Sequence, residues 1–309
     1  MKAVKWFVAG VGLFFGGLVA ASLYFYNLGV SRRKKSFLSA SSDLGDFSST
    51  WGVDNDWLAA QTLSAVDICS TDGLRLHASY FPADQPAART AILAHGYNSV
   101  GVHCGGLARF YHAAGWNVLM PDNRGHGNSE GNYVGFGWPD RLDYLGWIQH
   151  ILDRQGQDAQ IVLHGVSMGG ATVLMISGEA LPDAVKAVIS DSAYTSAADI
   201  LSYQMKRLFK LPPFPLVQMI SLVCRIRAGY FFEEASALNQ VRKTRLPVLL
   251  IHGEADTFVP AEMSRQLYAA CPGERELFLV PGAGHALPLY IDPAGYTRTV
   301  GAFLSRCLG

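Results

Sequence analysis

IVLHGVSMGGATVLMI, residues 161 to 176, decides how the chain is read. Its apolar start, Ile161 to His164, predicts a buried strand, Gly165-Val166-Ser167-Met168-Gly169 a sharp turn, and the residues from Gly170 onward an apolar helix. A G-x-S-x-G pentapeptide between a strand and a helix puts one serine on a strained turn with its hydroxyl clear of the sheet. The flanking glycines let strand and helix backbones pass without a Cβ clash. Ser167 is therefore the candidate nucleophile. Downstream, HGEADTFVP (252–260) offers Asp256 just past a buried strand, and PGAGHALP (281–288) offers His285. A serine hydroxyl is a poor nucleophile at neutral pH. It needs a histidine to accept its proton and an acid to orient the imidazole and stabilise the imidazolium.

Gly and Ser are common, so the pentapeptide gains meaning from its partners. The chain order serine, acid, histidine, with GVSMG, HGYNS (95–99), DNRGHGNS (122–129), HGEAD and GAGH (282–285), resembles the monoacylglycerol lipase, lysophospholipase and serine-aminopeptidase branch of the α/β-hydrolases over residues 64 to 306. The resemblance implies an α/β-hydrolase fold: a mostly parallel central sheet flanked by helices, with a helical cap insertion. It implies oxyanion donors at the backbone N–H groups of Tyr97 and Met168, and a chiefly architectural role for the 122–129 loop, which leaves His126 a minor candidate for substrate contact. Asp191, after the strand Val185 to Ile189, is the rival acid, because some members of the wider fold place it there; the HGEAD context favours Asp256. These motifs specify fold and triad, not substrate.

Half of the 309 residues are apolar, 16% are charged and the formal net charge is zero, which points to a globular protein with a large core and away from disorder or a nucleic-acid partner. The five cysteines are scattered without C-x-x-C spacing, and the nine histidines lack H-E-x-x-H spacing or an acidic cluster, so neither a disulfide framework nor a metal site is expected.

Trp6 to Val30 runs for 25 residues without a charge, between Lys2 and Lys5 on one side and Arg32, Arg33, Lys34 and Lys35 on the other. That is enough for a helix to cross the ~30 Å hydrocarbon core, so residues 1–35 are expected to be a single-pass membrane anchor with a basic flank, the enzyme facing outward. Val19-Ala20-Ala21 offers a small-residue cleavage site, yet the apolar run continues past it through Leu23-Tyr24-Phe25-Tyr26, which favours an uncleaved anchor over a signal peptide. Gly12 and Gly16 form a G-x-x-x-G pair of the kind common in such segments. Residues 36–62, rich in Ser and Asp, read as a tether, and 63–309 as the catalytic domain.

Within that domain, Leu74, Leu76, Ala78 and Tyr80 alternate with Arg75, His77 and Ser79, predicting an edge hairpin around Thr71-Asp72-Gly73. Pro139 opens a helix whose Leu142, Leu145, Ile148 and Leu152 are expected to cover the sheet, with Asp140, Arg141, Asp143 and Gln149 on other faces. The segment 193–240 breaks the strand-helix rhythm where the fold carries its cap. It holds Tyr203, Phe209, Phe214, Tyr230, Phe231 and Phe232 with Lys206, Arg207, Lys210, Arg225 and Arg227. Those aromatics fit either a pocket wall or a surface at headgroup depth. The expected reaction is hydrolysis of a small-molecule or lipid ester through an acyl-enzyme, without cofactor. An acyltransferase or peptidase with the same triad, or a catalytically silent binding protein, are the alternatives.

Overall fold

A computed structural model of the chain describes residues 2–33, 35 and 47–308. The alternating stretch forms the expected antiparallel hairpin, β1 (Ser64–Cys69) with β2 (Arg75–Phe81), and Leu76, Ala78 and Tyr80 turn inward. The continuous apolar runs become β3 (Arg89–Ala94), β4 (Asn117–Pro121), β5 (Gln160–Val166), β6 (Val185–Asp191), β7 (Val248–Gly253) and β8 (Arg275–Val280). The eight strands join in the order β1-β2-β4-β3-β5-β6-β7-β8, parallel from β4 to β8 and antiparallel at the hairpin end. From β3 to β7 the strands are largely apolar because both faces are covered, whereas the edge strand β8, RELFLV, is half-buried up to Val280. Along β3, Ile92 and Ala94 enter one core while Ala91 and Leu93 enter the other.

The helices are α1 (Lys2–Gly29), α2 (Phe47–Ala59), α3 (Gly105–Ala113), α4 (Asp140–Gln155), α5 (Met168–Ile176), α6 (Ala197–Phe209), α7 (Leu216–Ala228), α8 (Ala237–Val241), α9 (Ala261–Ala270), α10 (Pro288–Ile291) and α11 (Pro293–Leu308). Tyr111 of α3 with Tyr296 and Phe303 of α11 fills one core; Trp147 of α4 and Leu174 of α5 fill the other. The insertion contributes α6 and α7, which lie over the carboxyl ends of the strands near Ser167.

In α4 the helical period is as expected but the buried stripe is rotated. Tyr144, Trp147, Ile148, Ile151 and Leu152 face the core, whereas Leu142 is 37% exposed. Two aromatic side chains bury more apolar area than Leu142 would, and they set the phase. Asp140 and Asp143, expected on other faces, are buried because each has a partner: Arg124 donates to Asp143 at 2.6 and 2.7 Å, and Gly137 N–H donates to Asp140 at 3.1 Å. Arg124 also reaches Asp72, so the DNRGHGNS loop is tied to the hairpin turn and to α4.

The expected single-pass anchor, with the outward-facing placement and the membrane partner built on it, does not stand: among the described residues no helix is long and apolar enough to cross a membrane. The physical reason lies in the second half of α1. Ser22, Tyr26 and Val30 are buried in the domain, and Leu18, Ala21 and Phe25 pack against its core. Those side chains face protein, and too little of the uncharged run remains for the roughly 20 residues a bilayer requires. Of the expected tether, residues 36–46 lie outside the described residues, while 47–59 form α2. That helix docks on α3 through buried Leu58, an Arg109–Asp54 ion pair at 3.1 Å and Arg109 stacked 5.3 Å over Trp57.

Candidate active site

β5 ends at Val166 and α5 begins at Met168, so Ser167 alone makes the turn. Its backbone sits at φ 58°, ψ −116°. A left-handed conformation at a residue with a Cβ costs about 1–3 kcal/mol. It is held because Ser167 N–H donates to Asp191 O at 2.7 Å and Ser167 O accepts from Ala171 N–H at 3.0 Å. Two glycines make the close crossing possible: a Cβ on Gly165 would collide with the Gly169 carbonyl, and one on Gly169 with the Ala94 carbonyl. Because backbone atoms cannot swing aside, Gly169→Ala should destabilise the fold by about 3 kcal/mol or more, read as a lowered denaturant midpoint with unchanged slope.

The structure brings the three expected side chains together. Ser167 Oγ lies 2.8 Å from His285 Nε2, and His285 Nδ1 lies 2.7 Å from Asp256 Oδ2. A carboxylate only accepts, so Nδ1 carries the proton and Nε2 is left to accept from the serine hydroxyl. Asp256 follows β7 and His285 follows β8, which is why residues 118 positions apart in sequence meet at one end of the sheet. Burial alone would raise the Asp256 carboxyl, but the electrostatic attraction and hydrogen bonds of the His285 and His252 imidazole N–H groups outweigh it and hold it well below the usual carboxylate range. Its second oxygen accepts from the N–H groups of Phe258 and Val259 at 2.9 and 2.8 Å.

His252, the first residue of HGEAD, is a neighbour that sequence reasoning missed. Its Nε2 stands 2.8 Å from Val259 O and 3.1 Å from Asp256 Oδ2, both acceptors, so the proton is on Nε2 and Nδ1 accepts from Ser264 Oγ at 2.7 Å. Asp256 Oδ2 thus receives two imidazole N–H groups. The rival acid, Asp191, is engaged elsewhere: it accepts from Ser192 Oγ at 2.7 Å and Tyr296 Oη at 3.1 Å, and burial pushes its carboxyl up to about 6. Ser192 Oγ in turn accepts from Ala286 N–H at 3.2 Å, so Asp191 reaches the histidine loop through its backbone.

Gly96 packs so near the serine that a Cβ there would be 3.4 Å from Ser167 Cβ. The loop is fixed by His95. Its Nε2 accepts from Asn123 N–H at 3.0 Å, which puts the proton on Nδ1, 2.8 Å from Gly96 O; burial pulls this imidazole down to about 4, so it is neutral. Tyr97 and Met168 both border the cavity beside Ser167, and among the described residues neither backbone N–H has a protein acceptor. His126 stays off that cavity: it is buried edge-on against His95, ring centroids 5.0 Å apart. The cavity, about 100 Å³, is bounded by Tyr194, Leu201, Met205, Ile220 and Phe232, with Phe209 beside them, and among the described residues no acid lines it. Phe214, by contrast, is 74% exposed. Among the described residues Gln204 is the one amide lining the cavity, and it donates through Nε2 to Phe258 O at 2.6 Å.

Residues 91–298 match the alpha/beta hydrolase family, and the chain belongs to that family. It is similar to the uncharacterized protein YqkD of Bacillus subtilis, 28% identical over 227 residues and 74% of each chain, and to the uncharacterized protein YfhR of Escherichia coli K12, 30% identical over 234 residues and 72% of each. Among solved structures it resembles the Pyrococcus furiosus esterase Pf2001, with a TM-score of 0.64 and 25% identity over 82% of this chain and 93% of that one. The mostly parallel eight-stranded sheet flanked by helices is an alpha/beta hydrolase fold.

Proposed function

We propose that the protein is a serine ester hydrolase, carboxylesterase- or lipase-like, that cleaves a carboxylic ester through an acyl-enzyme without a cofactor. The observation that carries this reading is the continuous hydrogen-bonded path Asp256–His285–Ser167 opening on an apolar cavity. Ser167 Oγ bonds to the ester carbonyl carbon as its proton passes to His285 Nε2, and Asp256 stabilises the imidazolium. The oxyanion accepts from the N–H groups of Tyr97 and Met168. Collapse expels the alkoxide, which takes the proton from His285. Water then adds to the acyl carbon, giving its proton to the same nitrogen, and the carboxylic acid leaves with Ser167 restored. The Pyrococcus esterase supports the ester assignment by similarity. The absence of an acid along the cavity, among the described residues, argues against a site that fixes a free substrate amine.

The test is a panel of p-nitrophenyl esters and dipeptide p-nitroanilides with the purified protein. The expected result is ester turnover at a kcat/KM at least about 100-fold above that for any anilide, with an initial p-nitrophenol burst equal to the protein concentration. Turnover of anilides alone would favour a peptidase.

A further inference from the structure

The end of α1 forms one side of the cavity beside Ser167, through Phe25, Leu28, Gly29 and Val30. This wall is fastened to the domain rather than leaning on it. Val30 O accepts from Val134 N–H at 2.7 Å and Arg32 N–H donates to Asn132 O at 2.9 Å, giving a short bridge at Ser31 and Tyr133. The Arg32 guanidinium donates to Ser129 O and Gly127 O at 2.8 and 2.6 Å. Lys35 folds back, buried, to donate to Leu28 O at 3.1 Å and Ser31 O at 2.5 Å, closing the carboxyl end of the helix. Tyr97 Oη donates to Gly29 O at 2.6 Å, joining the helix to the residue proposed above as an oxyanion donor. On the other side, the Phe25 ring meets Phe209 of α6 edge-on, centroids 4.9 Å apart.

We infer that α1 sets the acyl-chain length this site accepts, with Phe25 and Leu28 as the stop against which the chain ends. The inference deepens, and rests on, the serine ester hydrolase reading. Ser167, Tyr97 and Met168 all border this cavity, so an acyl group carried on Ser167 Oγ has the apolar space directly beside it. At about 100 Å³ the space is two thirds of a 150 Å³ apolar cavity that takes the six carbons of benzene, so it suits a straight acyl chain of about four carbons. The apolar segment that looks like a lipid-facing helix in sequence is, in its second half, part of the substrate site.

The experiment is a chain-length profile on the full chain, from acetyl to dodecanoyl, for wild type, Phe25→Ala, Leu28→Ala, Leu28→Trp and Trp6→Ala, the last on an α1 side chain that is 78% exposed and away from the cavity. It is read in two ways: kcat/KM for p-nitrophenyl esters, and binding of straight-chain carboxylates when each substitution is combined with Ser167→Ala. Each further methylene taken out of water is worth about fourfold, so the octanoyl-to-butanoyl ratio should rise about tenfold or more in Phe25→Ala and Leu28→Ala. The ratio should fall in Leu28→Trp and stay unchanged in Trp6→Ala. A ratio does not depend on how much protein is folded, so opposite shifts from filling and emptying the site cannot come from misfolding. Unchanged profiles in both readouts, or a shift only when the alcohol part is lengthened, would overturn the inference. Absence of ester turnover together with shifted carboxylate binding would instead remove the hydrolase reading and leave the wall.

Discussion

Ser167→Ala, His285→Ala and the double variant should all retain the same residual rate, each lower than the native turnover by up to about 10⁶. The equality matters more than the size. In the proposed mechanism Ser167 Oγ gives its proton to the nitrogen 2.8 Å away, so removing either partner removes the same event, and a second substitution has nothing left to take. Additive losses would mean that the two residues act in separate steps. Circular dichroism and the denaturation midpoint should stay close to native for Ser167→Ala, since the positive φ that the turn demands is already paid by any residue with a Cβ.

Asp256→Asn should lower kcat by about 10⁴, because an amide can present its own N–H to the imidazole and turn it into the wrong tautomer. Asp191→Asn should lose far less: its partners are Ser192 and Tyr296, and it meets the histidine loop only through the Ser192 hydroxyl. The two carboxyls also differ in sign. Asp256 is held below its unfolded value, so it contributes stability that is present above the usual carboxylate pKa near 4 and is lost as pH falls toward its lower folded value. The stability gap between wild type and Asp256→Asn should therefore be widest at neutral pH and shrink below about pH 4. If Asp256→Asn kept native activity while Asp191→Asn abolished it in a folded protein, the acid would be Asp191.

What was legible in the sequence was whatever a local pattern dictates. The turn at Ser167 could be read because Gly165 and Gly169 stand where backbones cross, and the hairpin because a period of two has one buried face. Long-range pairing was not legible. Tyr296 lies 105 residues from the Asp191 it donates to. The phase of α4 was missed because Tyr144 and Trp147 outweigh Leu142 on the buried face, and Asp143 can be buried beside them because Arg124, 19 residues earlier, pairs with it. The N-terminal helix shows a deeper limit. Hydrophobic burial is non-directional, so an apolar run states that water is excluded without saying whether lipid or protein excludes it. Here Tyr26 and Val30 are covered by the domain itself.

The most direct measurement of the central claim is reaction of the full chain with a fluorophosphonate, followed by intact-mass analysis and peptide mapping. A serine activated by His285 should give a single phosphonyl adduct on Ser167, absent in Ser167→Ala and formed far more slowly in His285→Ala. No adduct on the folded protein, or an adduct that persists in Ser167→Ala, would contradict the account.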